Sequence, residues 1–163
     1  MKWDIQMKAF FLVILSILFQ GQLNAESRIA YKISKIEANL FYCDKATFSG
    51  NIINNPDFAL WNVIIGEGSA QGPSDQTLVK VFVKATGTGQ SNADSISLEV
   101  TIVNGGSVQK KKFKLGLFEQ NRTNCYGIMI DDTGCLPVTI TAKLVGKGGG
   151  SEIKKVISFN CGE

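Results

Sequence analysis

The sequence predicts an all-β protein built as an antiparallel two-sheet β-sandwich. Beyond the N-terminal segment, it is a succession of short alternating apolar runs separated by Gly, Asn, Asp and Pro. Nowhere do apolar residues keep helical spacing for the roughly ten residues that a helix needs. Two runs, Ile96 to Ile102 and Val138 to Leu144, have a clean period of two. Each of these strands therefore has one apolar and one polar face, as in a sandwich.

The first 25 residues have the composition of a cleaved secretory signal peptide. Lys8 supplies a positive charge, an apolar run extends from Ala9 to Phe19, and Leu23-Asn24-Ala25 is a small-residue cleavage site. The apolar run is about half of the roughly 20 residues that a membrane-spanning helix needs. We therefore expect a signal peptide at 1–25 and one secreted domain at 26–163, periplasmic or extracellular, with no integral membrane segment after cleavage.

The charge of this domain is nearly balanced. Without Lys2, Lys8 and Asp4, 15 basic and 13 acidic residues remain, a net charge of +2. Binding to nucleic acid or to an anionic membrane requires a strongly basic surface, so neither is expected as a partner.

Nine segments of the domain are predicted to be strands. They are Arg28 to Tyr42, Ala46 to Ile53, Phe58 to Ile65, Leu78 to Ala85, Ser95 to Val103, Val108 to Phe118, Tyr126 to Ile130, Val138 to Val145 and Glu152 to Asn160. The fifth and sixth should form a hairpin, because Asn104-Gly105 between them suits a two-residue type I′ turn, in which both central residues have positive φ. The lysines of the sixth segment, Lys110 to Lys114, predict a charged strand that discourages edge-to-edge pairing. Binding of an acidic glycan or lipid headgroup is the alternative for them.

The four cysteines all lie in the exported part, which predicts two disulfides in an oxidising compartment. If the last two strands pair about Lys147 to Ser151, Cys135 lies nearly opposite Cys161, which favours a Cys135–Cys161 disulfide. Cys125 with Cys135 fits poorly, because the extended segment between them separates the two residues too far. A Cys43–Cys125 disulfide follows by exclusion.

The segment from Asp131 to Ile140 carries an Asp-x-Gly turn followed by an alternating strand. It resembles the corner that enters the penultimate strand of immunoglobulin-like sandwiches, with Leu136-Pro137 in place of the corner tyrosine. The resemblance covers about ten residues and implies an immunoglobulin-like or Greek-key topology.

A glycine-rich stretch, Gly66-Glu67-Gly68-Ser69-Ala70-Gln71-Gly72, follows Trp61. It does not match a dinucleotide-binding loop, because the third glycine is one residue late, Pro73 follows, and the next element is a strand rather than a helix. A connection of about ten residues is long for a hairpin, and long loops on a rigid scaffold often carry function. The candidate ligand-binding residues are Trp61, Gly66, Glu67, Gly68, Ser69 and Gln71. Trp61 is expected in the core; if exposed, it becomes a candidate for stacking on a sugar.

The absence of histidine from the sequence excludes Ser-His-Asp and Cys-His catalysis and histidine metal sites within this chain. Asp131 to Gly134 offers oxygen ligands for calcium but lacks the other acids of an EF-hand, and an acidic turn between strands is the preferred interpretation. Asn121-Arg122-Thr123 matches the N-glycosylation pattern. No catalytic residue, metal or cofactor is expected.

These observations favour a secreted binding module that recognises a protein or a glycan through its loops. A structural or interaction subunit of an envelope or extracellular assembly, pairing through a sheet edge, is one alternative. The other is a small enzyme that cleaves glycosides with carboxylates alone, for which the candidates near loops are Asp57, Glu67, Asp131 and Asp132.

Overall fold

A computed structural model of the chain describes residues 29–53, 55, 59–61, 74, 76–87, 91–93, 95–118, 121–134, 136–146 and 149–161. For residues 59–61, 91–92, 117–118 and 160–161, the backbone alone is described. Throughout these ranges the regular secondary structure is entirely β, with no helix. The predicted all-β class is confirmed.

Twelve strands are present in the described ranges. They are β1 (Ala30–Tyr42), β2 (Thr47–Phe48), β3 (Ala59–Trp61), β4 (Gln76–Thr86), β5 (Ser91–Asn92), β6 (Ile96–Asn104), β7 (Ser107–Lys114), β8 (Leu117–Phe118), β9 (Thr123–Ile130), β10 (Val138–Gly146), β11 (Glu152–Ile157) and β12 (Asn160–Cys161).

The strands form two antiparallel four-stranded sheets. The first sheet has the order β2-β1-β4-β9 and the second has the order β11-β10-β6-β7. Two short pairs, β12 with β3 and β5 with β8, lie apart from these sheets. Strands that are consecutive in the sequence pair in β1-β2, β6-β7 and β10-β11. Between β4 and β6 the chain crosses from the first sheet to the second.

The alternating residues of both sheets face a common core. In β4, Val79, Val81 and Val83 are fully buried while the residues between them are half-buried. In the second sheet, the predicted alternation of β6 and β10 is confirmed by the pairing of Leu98 with Leu144 and by the burial of both side chains. The buried side chains of the two sheets form one hydrophobic cluster, as in a β-sandwich. Full burial of each Val, Leu or Ile contributes about 1.5–3 kcal/mol.

A β-bulge interrupts β1 where it pairs with β4. The register shifts between Ile33 and Lys35, and the hydroxyl of Ser34 donates to the carbonyl of Phe82 at 3.1 Å. The extra residue keeps Ile33 and Ile36 buried on the same side although their separation is odd.

The second predicted strand, Ala46 to Ile53, is mostly irregular. Only Thr47–Phe48 pairs as a strand, after which Ser49 N donates to Leu40 O at 2.9 Å and Ile52 N donates to Ala38 O at 2.8 Å. The side chain of Asn51 accepts from Ala38 N at 2.9 Å, so polar side chains replace ladder bonds here. This segment covers the edge of β1 without extending the sheet.

The predicted β6-β7 hairpin is confirmed, but its turn differs from the prediction. Asn104 pairs with Ser107, so the two central residues are Gly105 and Gly106 rather than Asn104 and Gly105. Gly105 has φ +56° and Gly106 is not in the positive-φ region. Positive φ at the first central residue alone is the pattern of a type II′ turn, which has glycine at that position. The adjacent second glycine allowed the turn to move by one residue.

The last predicted strand, Glu152 to Asn160, is divided. β11 ends at Ile157, opposite Val138, and the chain resumes as β12, which pairs in parallel with β3. The chain thus leaves the second sheet and places Cys161 opposite Trp61.

The predicted Cys43–Cys125 disulfide is not formed, and both thiols are free and exposed. Cys43 Sγ lies 3.8 Å from Oε1 of Gln76, whereas Cys125 pairs with Phe82 on β4. Six residues of extended strand separate Gln76 from Phe82, about 20 Å. A disulfide requires Cα atoms within about 6.8 Å, so this sheet cannot hold the predicted bond. Cys135 lies outside the described residues, and the Cys135–Cys161 pair stays a prediction.

Candidate functional site

The predicted binding residues lie mostly outside the described part of the chain. Trp61 ends β3, where its backbone alone is described, and the glycine stretch from Gly66 to Gln71 falls in the undescribed range 62–73. The C-terminal side of that connection is visible at Ser74 and Gln76, where β4 begins. These two residues show to which end of the sandwich the connection returns.

We call this end the loop end. It comprises the start of β4, the β1-β2 turn at 43–46, the β6-β7 turn at 104–107 and the segment 131–137 between β9 and β10. The two sheets are joined here by the side chain of Asn104, whose Nδ2 donates to the carbonyl of Asp132 at 3.0 Å. This bond links β6 of the second sheet to the segment that follows β9 of the first sheet.

Ser74 anchors the returning connection to β1. Its side chain is buried, and its Oγ donates to the carbonyl of Phe41 at 2.7 Å. The same Oγ accepts from the backbone N–H of Gln76 at 3.4 Å. A buried serine that bonds to backbone on both sides fixes the point at which the predicted binding loop joins the sheet.

A polar row crosses the outer surface of the loop end. Gln76 Nε2 donates to Asp131 Oδ1 at 2.9 Å, and Gln76 Oε1 contacts the Cys43 thiol. Asp131 and Asp132 are both exposed. The described carboxylates at this end are Asp44 of the β1-β2 turn and the adjacent pair Asp131 and Asp132, of which Asp131 already accepts an intramolecular hydrogen bond.

Exposed apolar side chains lie at or near the same end of both sheets. Five large apolar residues are conspicuously exposed in the described ranges: Phe48, Val108, Met129, Leu136 and Val156, at 48%, 59%, 37%, 58% and 47%. All five lie at the loop end or in the adjacent row of residues. Phe48 packs on Phe41 with ring centroids 5.0 Å apart, and Val108 pairs with Val103 beside the β6-β7 turn.

The other three lie in the same region. Leu136 lies against the turn, since a Cβ on Gly105 would be 2.7 Å from its Cδ1. Met129 pairs with Leu78, two residues from Gln76, and Val156 pairs with Thr139, one residue from the start of β10. At the opposite end, the outward residues Lys32, Lys84 and Thr123 are polar and are paired across the first sheet.

Sequence reasoning missed these exposed apolar residues, although a signal for two of them was present. Met129 and Val156 each stand next to an apolar residue, Ile130 and Ile157, within a strand. Neighbouring residues of a strand point to opposite faces, so one of each pair must leave the core.

Two hollows are lined by described residues. One, of about 240 Å³, lies at the loop end between Asn104, Val108 and Asp131. The other, of about 380 Å³, lies between β1 and β11 and is lined by Ile36, Ile153 and charged residues including Lys35, Glu37 and Lys155. The first is smaller than the usual range of about 300–1,000 Å³ for small-molecule sites and the second is near its lower limit.

Tyr126, an aromatic residue of β9, is half-buried and packs against the hydrophobic core. Its ring contacts Phe113 with centroids 5.4 Å apart, and its hydroxyl donates to the carbonyl of Leu115 at 3.2 Å. Burial raises the pKa of this phenol. Tyr126 therefore contributes to the side of the core rather than to an exposed aromatic platform.

The described residues contain no group of three or more acidic or cysteine side chains arranged to hold a metal ion. No helix in those ranges is long and apolar enough to cross a lipid bilayer. The lysine-rich strand β7 lies at the edge of the second sheet, and Lys112 pairs with Glu99 at 2.8 Å.

No protein-family model matches the chain, and a search of curated proteins finds no match.

Proposed function

We propose that this protein is a binding module that recognises a partner protein through its loop end. One observation carries the proposal: the exposed large apolar side chains of the described residues gather at that end of the sandwich. Exposed apolar groups that cluster instead of scattering mark interaction surfaces. The predicted loop from Gly66 to Asp75 returns to the sheet at the same place, through Ser74.

The chemistry of the surface favours a partner with apolar and basic groups. Leu136, Val108 and Phe48 supply apolar area, and the exposed Asp131 and Asp132 supply negative charge. Protein interfaces combine an apolar centre with polar positions that fix orientation. A glycan partner is less well supported, because Tyr126 is packed against Phe113.

We also propose an immunoglobulin-like topology. With β1, β4, β6, β7, β9, β10 and β11 taken as strands A, B, C, C′, E, F and G, one sheet contains A, B and E and the other has the order G-F-C-C′. Strands A, B and E on one sheet and G, F and C on the other is the immunoglobulin arrangement.

The proposal includes secretion after removal of residues 1–25 and a single disulfide, Cys135–Cys161. Val138 pairs with Ile157, which places the two cysteines three residues before and four residues after a paired position. Because Cys43 and Cys125 are free, Cys135–Cys161 is the remaining one of the two predicted disulfides.

Site-specific photo-crosslinking in the cells that produce the protein tests the binding surface. A photoreactive amino acid is placed at Val108 or, as a matched control, at Lys114. Both residues are exposed on the outer face of β7, about 20 Å apart along one strand. A second test position, Leu136, lies on a different segment of the loop end.

We expect Val108 and Leu136 to crosslink to one protein of different sequence, identified by mass spectrometry, and Lys114 to give none. Asp131→Arg should reduce the yield at both loop-end positions. Equal crosslinking from Lys114, or none from either loop-end position, would contradict the proposal.

A further inference from the structure

One edge of the first sheet differs from the other sheet edges of this molecule. Natural proteins protect sheet edges with short strands, bulges or lysines. At the β2 edge of the first sheet, β2 has only two residues and the neighbouring β1 carries a bulge. At one edge of the second sheet, β7 has four lysines among eight residues. β11 carries Glu152, Lys154 and Lys155. β9, with the sequence TNCYGIMI, has no charged residue and no proline.

The free side of β9 is open among the described residues. β9 is the last strand in the order of the first sheet, and it pairs with β4 along its whole length without a register shift. Its outward residues Thr123, Cys125, Gly127 and Met129 are all exposed. A straight, uncharged strand of eight residues with an open edge is a template for pairing with another strand.

The charges that flank β9 are complementary to each other. Arg122 precedes the strand, and Asp131 and Asp132 follow it. When such a strand pairs with an identical antiparallel strand, the basic end of each copy meets the acidic end of the other. A strand of a different protein would need the same order of charges, basic before the strand and acidic after it, whereas a second copy carries this order necessarily.

The geometry points to a two-fold dimer in which β9 of one copy pairs antiparallel with β9 of a second copy. The register is centred on Gly127, which faces its own symmetry mate. Cys125 then faces Met129 of the partner subunit, and Arg122 lies beside the acidic turn at Asp131 and Asp132 of the partner subunit. The four-stranded sheets of the two copies join into one continuous sheet.

This register is selected by three requirements. Residues that face each other must point to the same side of the sheet, which excludes every register shifted by one residue. A shift by two residues in either direction takes Arg122 away from Asp132. The Gly127 register also uses the strand from Thr123 to Ile130 with little overhang, and it brings together two residues without side chains at the symmetry axis.

The thiol of Cys125 would not form a disulfide across this dimer. In the Gly127 register, the two Cys125 residues are displaced by four residues along the strand, about 13 Å. A disulfide requires Cα atoms within about 6.8 Å. The association therefore depends on strand pairing, and we expect a concentration-dependent equilibrium because the contact is small.

Sedimentation of the purified protein over a range of concentrations is the first test. We expect the mass to rise toward twice that of the monomer, and Gly127→Lys to hold it at the monomer. A Cβ at Gly127 meets only Leu78 Cδ1 at 3.4 Å, so the variant should fold. Gly50→Lys is the matched control, since its Cβ meets nothing within 4 Å, and it should dimerise normally.

Cysteine crosslinking tests the register. In a background carrying Cys43→Ser and Cys125→Ser, Gly127→Cys should give a reducible covalent dimer under mild oxidation, and the background alone should not. A wild-type protein that stays monomeric at all concentrations would overturn the proposal. So would a dimer that persists in Gly127→Lys, or a covalent dimer formed through Cys125.

Discussion

Thr77 and Thr133 bring their hydroxyl oxygens within 2.8 Å of each other inside the loop end, and both side chains are almost fully buried. Thr77 lies at the start of β4, and Thr133 lies on the segment that connects β9 to β10. A hydrogen bond between two buried side chains fixes this segment against the sheet, close to the acidic and apolar residues of the proposed binding surface.

Removing one hydroxyl of this pair should cost more than removing both. Thr77→Val leaves the Thr133 hydroxyl buried without this partner, and Thr133→Val does the same to the Thr77 hydroxyl. We expect each single variant to lose about 1–3 kcal/mol in the free energy of unfolding. The double variant Thr77→Val, Thr133→Val should lose much less. Urea unfolding measures all three, with the half-buried Thr101→Val as control, expected within about 0.5 kcal/mol of wild type. If the loss in the double variant equals the sum of the losses in the two single variants, the two hydroxyls do not act together.

The ion pairs of Glu37 predict a loss of stability in acid. The Lys35 ammonium at 2.6 Å, and then the Lys80 ammonium at 3.0 Å, hold the pKa of the Glu37 carboxyl below its usual value of 4.5. Because the folded pKa is the lower one, the stabilisation is complete above the unfolded pKa and is lost as the pH falls through the folded pKa.

Glu37→Gln should therefore destabilise the protein at pH 7 and have a smaller effect near pH 3, as measured by urea unfolding at the two pH values. Glu99→Gln is the control. Its pKa is also lowered, by Lys112, but the pair is more exposed and should contribute less. A Glu37→Gln effect that is the same at both pH values would contradict this assignment.

The turn between β6 and β7 should tolerate alanine at one glycine and not at the other. Gly105 has φ +56°, and a Cβ there would approach Leu136 Cδ1 to 2.7 Å. Gly105→Ala should lower the free energy of unfolding by about 1 kcal/mol. Gly106→Ala, whose Cβ meets nothing within 4 Å, should be close to neutral. Thermal unfolding compares the two variants, and equal effects would argue against the assigned turn.

The two free thiols should react with iodoacetamide in the folded protein without prior reduction. Mass spectrometry of the digested protein should find Cys43 and Cys125 both alkylated. Burial raises the pKa of the Cys125 thiol, so its rate should keep increasing with pH beyond the usual thiol range. Labelling of these residues only after reduction would instead support the disulfide that the sequence predicted.

The parts of the fold that the sequence predicted depend on local patterns. The alternation in β6 and β10 placed Leu98, Val100, Ile140 and Leu144 on core-facing sides, and all are buried. The hairpin between β6 and β7 also follows from local turn chemistry. In each case, the information lies within about ten residues, where periodicity is a reliable guide.

The errors arose where long-range pairing decides the outcome. Whether Cys43 can reach Cys125 depends on the order β1-β4-β9, which no local pattern reveals. The division of the last strand depends likewise on the availability of β3 as a partner for Asn160 and Cys161. The exposed apolar residues at the loop end could not be predicted as one surface, because they lie on separate segments of the sequence that only the fold brings together.

The parallel pairing of β12 with β3 has a consequence for biosynthesis. β3 lies before the glycine-rich connection, and the strand that pairs with it, β12, is synthesised after both four-stranded sheets. During translation, residues 30 to 157 can form both four-stranded sheets before β12 leaves the ribosome. β3, which lies before the glycine-rich connection, gains this partner only after both sheets can form, so a chain truncated after Ile157 would have a nearly complete scaffold and a β3 without β12.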